Sequence, residues 1–148
     1  MFNQGVKAYA QVKVDTAVST ANPVQLVVLL YEGAISAIAS AKGEMERGNV
    51  AQKAKFINNA IDIIEGLRNA LDFSQGGDIA VSLNDLYLYM VQRLSTANLK
   101  NDPTLLEEVT RLLNEILGAW EILAKNQVPE QSLQETDAST GSGILSRA

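Results

Sequence analysis

Apolar residues recur at spacings of three and four along four stretches of the chain, with polar residues collected on the other side of each turn. The first stretch opens at Asn22-Pro23, an N-cap followed by a proline at the first helical position, where its missing N–H costs nothing. It runs through Leu26, Val27, Leu30, Ala34, Ala37, Ile38, Ala41 and Met45 to Gly48. The second starts at Asn49 and ends before Gly76-Gly77, which reads as an inter-helix turn. Ile57, Ala60, Ile61, Ile64, Leu67 and Leu71 form its main stripe. The third is capped by Asp78 and carries Ile79, Leu83, Leu86, Tyr87, Met90, Leu94 and Ala97 on one side. The fourth begins at Asp102-Pro103, with Leu105, Val109, Leu112, Ile116, Ala119 and Leu123 facing one way and Leu106, Leu113, Leu117 and Trp120 beside them.

No run alternates with period two between turn residues, so strands are not expected. Helices of about 20–25 residues reach about 30–37 Å, and short connections make sequential neighbours antiparallel. The pattern therefore predicts an all-α protein: an antiparallel up-down four-helix bundle over residues 22–126. A short N-terminal cap segment occupies 1–21. The Ser-, Thr-, Gln- and Gly-rich stretch 127–148 reads as a disordered C-terminal tail.

The stripes are wider than a bundle needs. Phe56, Ile63 and Ala70 extend the second helix's arc to roughly 200°, interrupted by Lys53 and Arg68, and the fourth helix's arc spans roughly 160°, against a core-facing requirement of about 100°. Two readings stand for the surplus. Either the N-terminal segment or a second copy of the chain covers it, or it forms a hydrophobic groove for a partner's amphipathic helices. The N-terminal segment is itself weakly amphipathic, with Val6, Tyr9, Ala10 and Val14 on one side if helical. Tyr87 and Tyr89 point about 200° apart, which assigns Tyr87 to the core and Tyr89 to the surface as an anchor.

Composition narrows the function classes. Among 148 residues there is no Cys and no His. Disulfides, thiolate and histidine metal sites, Cys nucleophiles, Ser-His-Asp triads and phosphotransfer histidines are thereby excluded. Gly76-Gly77 lacks the preceding strand and following Lys-Ser/Thr of a phosphate loop. Glu107-Glu108 are adjacent, face different directions and are placed in the fourth helix's first turn, where they favour the helix dipole. No catalytic constellation, metal site or cofactor is expected. The net charge of −5 and the lack of a Lys/Arg cluster argue against nucleic acid as a partner. The first residues, MFNQGVKAYAQ, show no apolar signal region, and the apolar run Val24–Ala41 is interrupted by Gln25, Glu32, Ser36 and Ser40. An acidic, soluble, intracellular protein is expected.

The blocks AYAQVKVDTAV, TANPVQLVVLLYEGAI, AIDIIEGLRNALDFSQGGDIAVSLNDLYLYM, and RLSTANLKND followed by LLNEILGAW occur in that order. From about Tyr9 to Trp120 the chain resembles the flagellin export chaperone (flagellar secretion chaperone) family of bacteria. Asn22 stands where that family often has Ser before the proline, one capping residue for another. The resemblance implies a cytosolic four-helix bundle with an N-terminal cap. Such a protein binds the C-terminal, polymerisation-competent segment of new flagellin, keeps it monomeric and delivers it to the flagellar type III export gate at the membrane. It implies no cofactor. It adds an anti-sigma factor or other regulator as a further partner, and uncovered apolar surface adds a homodimer. Val6 and Tyr9 are expected at the partner site because the family's N-terminal segment covers part of the groove. Ile57, Ile61 and Ile64, with Leu113, Leu117 and Trp120, are chosen from the width of the two arcs, some of them to be core.

Tyr9→Ala is expected to change partner binding more than stability. A fall of several degrees in melting temperature with binding intact would contradict that.

Overall fold

Asn22 begins the first helix as its sequence position predicts. Its side-chain oxygen accepts from the Gln25 N–H at 2.9 Å, and the Gln25 side chain accepts from the Asn22 N–H at 3.3 Å, a reciprocal cap completed by Pro23. The computed structural model describes residues 22–126. The expected cap segment, with Val6 and Tyr9, and the expected tail from 127 lie outside the described residues. Four helices follow in order: α1 (Pro23–Arg47), α2 (Val50–Asn69), α3 (Phe73–Lys100) and α4 (Pro103–Asn126). Gly48, at φ 78°, ends α1 in the left-handed conformation that lets its N–H reach back to the last turn. Asn101, at φ 52°, ends α3 in the same way. Asp102 opens α4 by accepting from the Thr104 N–H at 3.0 Å.

The α2–α3 boundary differs from the sequence expectation. α2 stops at Asn69, the turn lies at 70–72, and Asp72 rather than Asp78 caps α3, accepting from the Ser74 and Gln75 N–H groups. Gly76-Gly77 sits inside α3 as a kink, with Gly77 at φ 50° and ψ −126°. Only glycine takes that conformation readily, and a Cβ on Gly76 would meet the Ala80 Cβ at 2.9 Å. The glycine pair bends a helix instead of ending one.

α1 packs against α2 and α4, α2 against α3, and α3 against α4, giving a ring of antiparallel neighbours. Short links of two or three residues enforce the up-down order. The core collects Tyr31, Ala34, Ile38 and Ala41 from α1, Ile57, Ala60 and Ile64 from α2, Tyr87, Met90 and Leu94 from α3, and Leu106, Val109 and Leu113 from α4. Length and hydropathy alone would let α1 cross a membrane. Its Tyr31–Ala41 face is nevertheless built into this core.

Across the diagonal, the Tyr31 and Tyr87 hydroxyls meet at 2.6 Å, with ring centroids 6.4 Å apart. Both rings are buried in the core, where each hydroxyl gives the other a hydrogen-bond partner. Burial raises the pKa of both. The bond to Tyr87, and a weaker one from the Trp120 side chain, partly offset this at Tyr31.

Raising a tyrosine pKa in the folded state means that only the unfolded chain ionises readily. The pair's contribution is therefore full below about pH 10, the ordinary tyrosine value, and declines as pH climbs above it. Tyr87→Phe is expected to leave the Tyr31 hydroxyl with only the weaker Trp120 contact, to cost about 1 kcal/mol at neutral pH, and to lower the melting temperature by a few degrees. It is also expected to flatten the alkaline loss of stability. Thermal denaturation of both proteins from pH 7 to 11 checks this, and an unchanged alkaline slope would contradict it.

Candidate functional site

The six helical positions singled out by arc width divide into two groups. Ile57, Ile64 and Leu113 are fully buried, and Leu117 is 8% exposed, so all four belong to the core. Ile61 and Trp120 are half-buried at its edge. A wheel gives the width of an apolar arc but not which edge of it faces inward. On α4 the buried residues are Leu105, Leu106, Val109, Leu113 and Leu117, so the expected main stripe starts in the core at Leu105 and Val109 and leaves it further along. Leu112 and Ile116 are half-buried, and Ala119 and Leu123 are exposed.

That outward drift meets a matching one on α3. Ile79, read from the sequence as a core position, is 72% exposed. Ile79, Leu83 and Leu86 of α3 and Ile116 of α4 line an apolar groove of about 300 Å³, with Asp78 and Ser82 at its rim. The groove lies near the end of the bundle where α3 starts and α4 finishes. Leu123 continues it on the face of Ile116, since seven residues are nearly two helical turns. The Gly76-Gly77 kink sits at its entrance, and Phe73 just before the kink is exposed. Three apolar side chains on one face of α3 and two on α4, spaced by helical turns, suit the apolar side of an amphipathic segment.

A second groove of about 640 Å³ runs between α1 and α4, over Ile38, Ala39 and Leu106. Its character is different. Lys42 and Glu107 bridge it at 2.8 Å, and Arg111 and Glu115 stand along its edge. Glu107 and Glu108 sit one turn beyond the first turn of α4, where they link helices instead of serving the dipole. Glu108 accepts from the Tyr89 hydroxyl and, at 2.8 Å, from Arg93 Nε, both on α3. Those two bonds hold its carboxyl below the usual range, and the carboxylate in turn raises the Tyr89 pKa. Tyr89 is on the surface as expected, and its hydroxyl ties α3 to α4.

Two buried polar residues escaped the sequence reading. Lys53, which interrupts the apolar arc of α2, is 3% exposed and donates to the Asn98 carbonyl at 2.9 Å and to Asn101 Oδ1 at 2.6 Å. It ties the start of α2 to the end of α3. Asn59 is 2% exposed, and neither amide atom has a hydrogen-bond partner. Among the described residues no three acidic side chains, with or without His or Cys, converge on a metal-sized space. Nucleophile, base and oxyanion donors are likewise not assembled in either groove.

The sequence profile of the family described as "Flagellar protein FliS" matches residues 5–127. The chain belongs to the FliS family. Curated relatives agree with that membership. The flagellar secretion chaperone FliS of Salmonella typhimurium is 45% identical over 133 residues, covering 89% of this chain and 96% of the relative. The flagellar secretion chaperone FliSB of Pseudomonas aeruginosa is 45% identical over 118 residues, covering 80% and 94%. The FliS of Bacillus subtilis is 31% identical over 106 residues, covering 72% and 78%. The FliS profile ends one residue beyond α4, so residues 128–148 lie outside it.

Asn59→Leu replaces two unpaired buried polar atoms by methyl groups on the same branched frame. It is expected to raise stability by about 1–3 kcal/mol, measured by urea denaturation. A loss of stability would show that Asn59 is held by partners the bundle conceals.

Proposed function

We propose that this FliS-family chain is a cytosolic chaperone of flagellar type III export. On this reading it binds the C-terminal region of flagellin, prevents its premature polymerisation and presents it for secretion. The observation that carries the reading is the apolar α3–α4 groove in a protein whose relatives are named flagellar secretion chaperones. A client segment that is disordered when free wraps such a surface and folds against it, hiding the apolar face through which subunits would otherwise assemble. Ile79, Leu83, Leu86 and Ile116 would take the client's apolar side chains. Ile61 and Trp120 would contribute at the core's edge, supported from beneath by Ile57, Ile64, Leu113 and Leu117. Val6 and Tyr9 would compete with the client from the N-terminal segment. Nothing in this activity calls for catalysis, a metal or a cofactor.

Delivery to an export-gate component at the membrane, and contact with an anti-sigma factor or other regulator, extend the same reading. The bundle leaves other surface for them, including an outward row on α3 formed by Val81, Leu88 and Leu99. A homodimer through exposed apolar surface belongs to the reading as well.

Calorimetric titration of the full chain with the C-terminal segment of its flagellin is expected to give a 1:1 complex with a negative heat-capacity change. Ile79→Ser is expected to leave the melting temperature unchanged, because the side chain is mostly exposed. It is expected to weaken binding by about tenfold or more, since a buried isoleucine contributes about 1.5–3 kcal/mol. No binding by the folded wild type would remove flagellin as the client and leave a regulatory partner as the reading.

A further inference from the structure

The groove between α3 and α4 opens beside the end of α4 from which the chain continues. Ile116 lies ten residues before Asn126, about 15 Å along the helix axis. The sequence beyond Asn126 continues to residue 148, and the FliS profile stops at residue 127. Its apolar side chains are few. Val128 and Leu133 stand among Pro129, Glu130 and Glu135, whereas Ile144 and Leu145 are adjacent and followed two residues later by Arg147. Arg147 is the one basic residue after Lys125, and the acidic residues of this stretch all precede residue 138.

The groove has the complementary character. Its floor is Ile79, Leu83, Leu86 and Ile116, and its charged rim residue is Asp78, which makes no ion pair with another described residue. Val128 and Leu133 would bring carboxylates toward Asp78. Ile144-Leu145 would bring a guanidinium. A tether of about 18 residues between Asn126 and Ile144 reaches up to about 60 Å when extended, well beyond what the groove requires.

We infer that Ile144–Arg147 dock into the α3–α4 groove of their own chain, the two aliphatic side chains on its floor and Arg147 at Asp78, as a cover that a client displaces. The docking stands on groove, tether and charge. The displacement rests on the proposed flagellin reading. Two aliphatic side chains on a shallow groove give an intrinsic affinity near millimolar, and a short tether supplies an effective concentration of the same order. Covered and open forms then differ in population by about tenfold or less, so the cover shields apolar surface without locking the client out.

The chain has no cysteine, so Ser142→Cys accepts a single nitroxide spin label in the full-length protein. With isoleucine and leucine methyl groups isotopically labelled, the nitroxide is expected to broaden the signals of Ile79, Leu83 and Ile116 selectively. Adding Ile144→Asp and Leu145→Asp is expected to abolish the effect. The same double substitution without the label is expected to bind the flagellin segment about two- to tenfold more tightly than wild type. Uniform broadening, or broadening centred on Ile38 and Leu106, would overturn the docking. Broadening seen only between spin-labelled and isotope-labelled copies in a mixture would assign the groove to a second molecule, and would also overturn it. Selective broadening with unchanged flagellin affinity would overturn displacement alone. Selective broadening with no flagellin binding by either protein would uphold the docking and reject flagellin as the client.

Discussion

A helix in a ring of four can hide only the part of its circumference that faces the axis and its two neighbours. α3 and α4 carry more apolar surface than that limit allows. The inner rows, Tyr87, Met90 and Leu94 on α3 and Leu106, Val109 and Leu113 on α4, close the core. Ile79, Leu83, Leu86, Ile116 and Leu123 are left at the seam between the two helices, where they line or extend the groove. A bundle whose apolar arcs matched its core would fold as well and would have nothing to offer a client.

What keeps the surplus in place is polar. The Tyr31–Tyr87 hydroxyl bond fixes α1 against α3 through the middle of the core, and Lys53 pins α2 to the end of α3. Glu108 holds Tyr89 and Arg93 from α4. Aliphatic packing alone tolerates sliding by a turn, because one leucine row resembles the next. Buried hydrogen bonds between particular residues do not, since a slipped helix would leave them unpaired. The groove's floor therefore sits on a frame of defined register.

The four helices were legible from an apolar period near 3.6, and the ends of α1 and the start of α4 from Asn22-Pro23, Gly48 and Asp102-Pro103. The glycine pair misled because Gly76-Gly77 is as suited to a kink as to a turn, and the choice fell to Asp72, which caps the helix a turn and a half earlier. Tyr87 was legible as core because it shares the stripe of Leu83, Met90 and Leu94, and Tyr89 as surface because it points about 200° away. Which of two neighbouring leucine rows faces inward was not. Leu112 and Leu113, or Ile116 and Leu117, lie about 100° apart within one wide apolar arc, and their burial is decided by where α1 and α3 lie. Lys53 was unreadable for a related reason. A lysine in an apolar arc looks like an interruption until Asn98 and Asn101, some 45 to 48 residues away, supply its acceptors.

On the proposed function, the apolar α3–α4 seam receives the client. The most direct test is methyl NMR of the full chain, titrated with the C-terminal segment of its flagellin. The signals of Ile79, Leu83, Leu86 and Ile116 are expected to shift first and most, with Trp120 following at the core's edge. Shifts confined to Ile38, Ala39 and Leu106, in the charged groove between α1 and α4, would contradict that reading.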